Sequence, residues 1–428
     1  MTNDKFRTRF FLFWLSLGLL WAGGGTRCLA KISTQSAVVC GADRLFSEYR
    51  HLIDGKRVAL VANHSAVRSD GTHLADALAN YPDATLSVLF GMEFNIRSND
   101  YSLPRDDEKT IDPQTGVVKY SLYGAVHKPT REMLGDSEVI VFDIQETGLR
   151  FYEHVNILGF VLEAAGEYGL EVIVLDRPNP ITGNYVDGFV TENASLYTFG
   201  AYGKIPIRHG MTIGELARLY VGEGMLRGGQ HPTLYVVEMK GWHREMWFDE
   251  TGLAWHKPSP NLLTLNSVIA YGGTCLFEGL NVSEGRGTDR PFEYIGAPWL
   301  DADKVIDLLK ELAFEGVSFE AITFVPEQKS HLGSPPELNG ERCNGIFVHV
   351  TDRDAFALYR AGIALVWAIN QVHADQLVWK EEVIRRLTGT DRMMKMIRTG
   401  QHPTEIFDSW REEVKVFMNK REKYLLYS

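Results

Sequence analysis

Cysteine is scarce in this chain, with four in 428 residues, and no two of them are spaced C-x-x-C. That excludes a disulfide framework and the common zinc sites. The 13 histidines lack ligand spacing and no H-E-x-x-H occurs, so no metal is expected. A glycine-rich phosphate cradle is also missing: the first apolar run leads straight into Asn63, His64 and Ser65, and Gly285 with Gly287 does not supply one. No nucleotide cofactor is therefore expected. Ser283 lies near Gly279 and Gly285 but misses the G-x-S-x-G spacing, which argues against a serine hydrolase. Basic residues are the minority, 44 against 55 acidic, for a formal charge of −11. Such a balance disfavours nucleic acid and anionic lipid as partners, because long-range repulsion opposes them.

The first 30 residues differ in kind from the rest. Lys5, Arg7 and Arg9 precede an apolar run from Phe10 to Ala22, followed by Gly23, Gly24 and Gly25. This is the layout of a secretory signal, and the run is shorter than the roughly 20 residues of a membrane-spanning helix. Cleavage after Ala30 is expected, leaving no membrane span in the mature chain and a periplasmic or extracellular location. Lipid attachment at Cys28 is the less favoured alternative, because Arg27 stands where a small residue is usual. Removing residues 1–30 takes away four basic groups (Lys5, Arg7, Arg9, Arg27) and one acidic group (Asp4), moving the charge from −11 to −14.

Beyond residue 38 short β-branched runs alternate with amphipathic segments, which predicts an α/β fold with a helix-covered parallel sheet. Arg57–Ala62, Thr85–Phe90, Glu138–Ile144 and Glu171–Leu175 read as strands. Their nearly continuous apolar character suits burial on both faces. Val155–Tyr168 reads as a crossover helix, and Thr212 with Glu215 as a capping box. After about Pro291 the texture changes: a helix over Asp301–Leu312, strands over Val317–Val325 and Gly345–Val350, then mostly helix. The organisation expected is a signal at 1–30, a Rossmann-like domain at 39–288 and a smaller α/β auxiliary domain at 289–428.

Ligands of open parallel sheets bind beyond the carboxyl ends of the strands. Those ends carry Glu93 and Arg97, then Asp143, Gln145 and Glu146, then Asp176, Arg177 and Asn179. Turns favour Asp and Asn for backbone reasons alone, yet three ends delivering carboxylates to one edge point to a site. Further on, residues 271–299 gather Glu278, Asn281, Ser283, Glu284, Arg286, Thr288 and Arg290 among glycines, a second candidate loop. Carboxylates, amides and aromatic rings are the side chains carbohydrate chemistry needs: acids to protonate a glycosidic oxygen, amides to hold hydroxyls, rings to stack on sugars. Trp242, Trp247, Trp255 and Trp299 could stack, although most tryptophans fill cores.

Seven ordered blocks, GKRVALVANHSAV, DPQTGVVKYSLYG, VFDIQETGLRFYEHV, VLDRPNPITGNYVDG, IPIRHGMTIGELARL, WFDETGLAWHKPSPN and CLFEGLNVSEGRGTDRPFE, resemble the exo-β-N-acetylmuramidase family over nearly the whole mature chain. The resemblance implies a Rossmann-like domain, an auxiliary domain and a cleft between them. It also implies hydrolytic release of N-acetylmuramic acid from the non-reducing end of peptidoglycan-derived saccharides. The family's turn after the second strand reads Pro-Glu-His-Gly-x-Arg, with the glutamate as leading catalytic candidate. Here the turn runs Met92, Glu93, Phe94, Asn95, Ile96, Arg97, so the glutamate and arginine match and the rest differ. Glu93 is the expected general acid. Asp143, Glu146, Asp176, Glu278 and Glu284 are candidates for the second group, Asp143 and Glu284 being carried forward as catalytic. Substrate contacts are expected from Gln145, Arg150, Tyr152, Asp176, Arg177, Asn179, His209, Asn261, Glu278, Asn281, Arg286 and Thr288. The lactyl carboxylate calls for a bidentate arginine, Arg150 or Arg286 before Arg177 or Arg208. A fragment-binding protein without turnover, or a hydrolase of another N-acetyl sugar, are the alternative readings.

Overall fold

Six segments of the chain, residues 38–92, 96–98, 109–123, 126–192, 200–329 and 334–428, are described by the computed structural model. The expected signal at 1–30 with Cys28, and Glu93, Phe94 and Asn95, lie outside the described residues. In chain order the N-terminal half contains α1 (Gly41–Leu45), β1 (Arg57–Ala62), α2 (Leu74–Ala79), β2 (Thr85–Gly91), β3 (Thr110–Ile111), β4 (Val118–Ser121), α3 (Arg131–Leu134), β5 (Val139–Asp143), α4 (Glu153–Tyr168), β6 (Glu171–Leu175), β7 (Asp187–Val190), β8 (Pro206–Arg208), α5 (Ile213–Gly222) and β9 (Thr233–Val237). The C-terminal half continues with α6 (Leu265–Thr274), β10 (Tyr294–Ala297), α7 (Ala302–Glu311), β11 (Val317–Phe324), β12 (Cys343–Val350), α8 (Leu358–His373), α9 (Glu381–Thr388), α10 (Arg392–Arg398), α11 (Pro403–Asp408) and α12 (Arg411–Arg421).

The large sheet has seven strands in the order β3-β4-β2-β1-β5-β6-β9. Every neighbouring pair is parallel except β3 against β4. Alternation along β1 explains its two-sided burial. Ala59 and Val61 face the layer of α4 and α5, with Val161 and Leu216, whereas Val58, Leu60 and Ala62 face α1 and α2, with Leu45 and Leu78. Helix α4 ends at Gly169 in the left-handed conformation, and Thr212 with Glu215 forms the expected capping box of α5. The α/β class and the parallel sheet are thus as the apolar runs predict, while β3, β4 and the edge strand β9 are additions.

The smaller sheet is antiparallel, in the order β10-β12-β11. Ile295, Ile346 and Val348 join a hydrophobic core with α7 and α8, and Val268 and Ile269 of α6 belong to the same core. Helix α6 therefore packs into the core of the C-terminal half, although it precedes residue 289. The reason lies in small residues: a Cβ on Gly273 would sit 2.2 Å from the Leu358 carbonyl, and one on Gly362 would sit 2.3 Å from the Gly273 carbonyl. Only glycine lets α6 and α8 approach this closely. Leu149, Ile181, Phe189 and Ile207 of the N-terminal half enter this core too. Among the described residues no helix is long and apolar enough to cross a membrane. Cys40, Cys275 and Cys343 are buried free thiols.

Candidate active site

The strand order reverses at β1, which runs on one side to β2 and β4 and on the other to β5, β6 and β9. Side chains from the two strand ends flanking that reversal are tied together. Ser65 Oγ donates to Asn63 Oδ1 at 2.6 Å and accepts the Gln145 N–H at 3.0 Å. His154 Nδ1 lies 2.8 Å from the Gln145 carbonyl, and its Nε2 lies 3.4 Å from Asn63 Nδ2. A carbonyl can only accept, so His154 carries its proton on Nδ1 and receives the amide on Nε2. Burial keeps this imidazole neutral, pulling its pKa down to about 3. His64, also held down by burial to about 4, reaches the Lys257 carbonyl at 2.8 Å. Tyr152 OH donates to the Pro258 carbonyl at 2.8 Å. The segment around residues 255–261 is thereby held over the ends of β1 and β5, with His64, His256 and Lys257 partly open to solvent.

The strand-end carboxylates sort by partner. Asp143 is fully buried and grips Arg177 with both oxygens, Nη2 to Oδ2 at 2.8 Å. Asp176 accepts from Thr212 Oγ1 (2.8 Å), Gly214 N (2.8 Å), Arg177 N (3.0 Å) and Tyr427 OH (2.6 Å), and burial lifts its pKa to about 7. Asn179 bridges Met211 O and Ile181 N. Arg150 is fully buried with its guanidinium on the carbonyls of Phe189, Ile205 and Leu387. These side chains hold the framework together. Asp143, Arg150, Asp176, Arg177 and Asn179, expected from sequence to face a ligand, are thus each engaged by internal partners that sequence does not reveal.

Glu146 differs. One oxygen takes the Gly148 N–H while Oε1, buried, has no partner, and His209 Nε2, also unpartnered, lies 3.6 Å from Oε2. His209 Nδ1 accepts the Met211 N–H at 3.2 Å, which leaves the imidazole proton on Nε2, on the side of Glu146. Gly148 makes this loop possible. Its φ is +84°, and a Cβ would come within 2.6 Å of Asn179 Oδ1. Gln145 is 6% exposed and anchors the loop through the carbonyls of Glu146 and Pro178.

Aromatic rings carry the site across to the glycine-laced loop. Tyr152 stands perpendicular to His154 with centroids 4.6 Å apart, and 6.1 Å from Tyr271. Tyr271 is hydrogen-bonded to Cys275, whose thiol is pushed well up by burial and by the carboxylates of Glu278 and Glu284. Glu284 is buried and paired with Arg286 Nε, while Arg286 itself is 29% exposed and Glu278 half-buried. Asn261 is almost buried, with Oδ1 unpartnered. Asn281 instead ties the loop to Gln376 and Val378, and Thr288 closes a turn onto Gly285 and Arg290. Of the tryptophans, Trp242 and Trp247 are core residues, and Trp255 and Trp299 are partly buried against it.

The structure thus links Gln145, Tyr152, Glu278, Glu284 and Arg286 of the sequence-derived set through His154, Tyr271 and Cys275. It adds Asn63 and three histidines, His64, His154 and His256, whose isolation along the chain gives no spacing signal. On the other flank, Arg97 fixes the chain after β2 by pairing with Asp76 (2.7 and 2.8 Å) and Asp112 (2.8 and 3.0 Å), and Met92 and Ile96 are buried. No group of three or more metal-ligating side chains occurs among the described residues.

Comparison with known proteins agrees over both halves. Residues 58–266 match the family model of the N-terminal domain of exo-β-N-acetylmuramidase NamZ, and residues 269–427 that of its C-terminal domain. The chain is 37% identical over 391 residues, 91% of each chain, to the peptidoglycan β-N-acetylmuramidase NamZ of Bacillus subtilis (strain 168). Two crystal structures of DUF1343 family proteins from Bacteroides fragilis NCTC 9343 are similar. One has a TM-score of 0.83 at 31% identity, the other 0.74 at 28%, each covering 92% of this chain and 99% of the other. With its relatives matched from the first strand to the last helix, the chain belongs to the exo-β-N-acetylmuramidase family.

Proposed function

We infer that the protein is an exo-acting glycoside hydrolase that releases N-acetylmuramic acid from the non-reducing end of peptidoglycan fragments. The observation that carries this reading is family membership across both halves, with 37% identity to a curated muramidase over 91% of the chain. The chemistry at the strand ends supports it. Asn261 offers an unpartnered amide oxygen for a sugar hydroxyl, Tyr152 a ring edge, and Arg286, aligned by Glu284, a cation for the lactyl carboxylate. Glu93, immediately after β2, acts as the general acid on the departing glycosidic oxygen, and Glu278 or Glu284 supplies the second carboxylate. A chromogenic β-glycoside of N-acetylmuramic acid tests this: release of the chromophore supports it, and binding without release favours a fragment-binding protein.

The N-terminal basic and apolar segment supports export, and we place the mature protein in the periplasm or outside the cell. Intact-mass measurement of protein recovered from the envelope fraction checks this: a mature start near Lys31 is expected, and an unprocessed N-terminus would contradict it.

A further inference from the structure

Among the described residues, the buried arginines are held by a carboxylate or by two or more carbonyls, with one exception. Arg44 is held by Glu48, Arg177 by Asp143 and Arg244 by Glu215. Arg150 has three carbonyls, and Arg421 has those of Gly183 and Gly210. Arg208 is 4% exposed and makes one hydrogen bond, Nη2 to the Ile181 carbonyl, with Nε buried and unpartnered. Burial pulls its pKa down to about 10, against the opposing pull of Asp187, Tyr185 and Asp354. A buried cation without a counter-ion is unfavourable, and an anion brought beside it would relieve that.

The surroundings provide room for one. Arg208 lines a depression of about 450 Å³, together with Tyr185, Asp187, Asp354, Phe356 and Arg360. That volume lies within the roughly 300–1,000 Å³ of small-molecule sites. Tyr185, 36% exposed, covers the guanidinium at 4.6 Å from ring centroid to Cζ, and Trp247 lies on it at 5.8 Å. The two acids closest in charge are both engaged. Asp187 is bound by Arg360 (3.0 Å) and by Trp410 Nε1 (2.8 Å), and Asp354 by Trp247 Nε1 (2.9 Å). Neither forms an ion pair with Arg208.

We propose that this depression is an accessory binding site for a carboxylate-bearing small molecule, with Arg208 as the anion ligand and Tyr185 as the stacking face. The choice of ligand rests on the hydrolase reading above, because peptidoglycan fragments carry carboxylates on the lactyl ether and on the stem peptide. The site itself rests only on the geometry of Arg208.

The test follows the indole N–H resonance of Trp247, which borders the site, in isotope-labelled full-length protein. It is titrated with N-acetylmuramic acid, with L-alanyl-D-glutamate and, as a neutral control, with N-acetylglucosamine. A saturable shift with either acid at up to millimolar concentration supports the site, and which acid acts identifies the source of the carboxylate. Arg208→Lys keeps the charge but loses the fork and is expected to weaken binding about tenfold. Tyr185→Ala, at the rim, is expected to weaken it comparably while hydrolysis of the chromogenic glycoside stays unchanged. No shift with either acid, an equal shift with N-acetylglucosamine, or full binding by Arg208→Lys would overturn the proposal. Hydrolysis measured on the same samples reports separately on the enzymatic reading.

Discussion

Arg177→Met is the perturbation that most sharply separates framework from chemistry at the strand ends. In the folded protein it leaves the Asp143 carboxylate fully buried with no cation beside it. Two unit charges about 4 Å apart at an effective dielectric near 20 attract by about 4 kcal/mol, and breaking buried pairs typically costs about 3–5 kcal/mol. We therefore expect Arg177→Met to lose about 4 kcal/mol of stability, read from urea unfolding midpoints at constant slope. Asp143→Leu combined with Arg177→Met removes both charges and should recover most of that loss, giving a coupling of several kcal/mol in the double-mutant cycle. Each variant, assayed below its unfolding transition, should keep kcat within about threefold, since loss of an acid or base costs about 100-fold or more. A fully stable Asp143→Asn with kcat reduced a thousandfold would refute this reasoning and return Asp143 to catalysis.

Other outcomes follow from the same geometry. His154 is neutral in the folded protein down to about pH 3 but titrates near 6.5 when unfolded, so the unfolded chain binds the extra proton between those values. Its contribution is complete above pH 6.5 and is lost as the pH falls, on the order of 4–5 kcal/mol over the window; His154→Gln should flatten that slope in unfolding midpoints measured against pH. Tyr427 OH bridges Asp176 (2.6 Å) and Met239 N (2.9 Å) near the C-terminus. Tyr427→Phe strands the Met239 N–H and removes one of four donors from Asp176, and should cost about 1–3 kcal/mol in the same assay, without changing KM.

What sequence revealed and what it did not divides along locality. β1, β2, β5 and β6 were legible because strands buried on both faces read as short apolar runs, and the Thr212–Glu215 box because its partners are three residues apart. β9 escaped notice because it is a five-residue edge strand, TLYVV, with four of its residues partly or wholly exposed. The strand ends were correctly marked as polar, yet which carboxylates are engaged depends on remote partners. Arg177 stands 34 positions from Asp143, and Tyr427 251 from Asp176. Glu146 and His209 meet only because the excursion through β7 and β8 returns to the sheet beside the end of β5. The contact of α6 with α8 is not legible because it runs through glycines, which carry no hydrophobic signal.

The central claim is tested most directly by comparing wild type with Glu93→Gln on a chromogenic β-glycoside of N-acetylmuramic acid. The account predicts turnover by the wild type, little or none on the matching N-acetylglucosamine glycoside, and a loss of kcat of about 100-fold or more in Glu93→Gln with KM little changed. Undiminished hydrolysis by Glu93→Gln, or no turnover by the folded wild type, would contradict it.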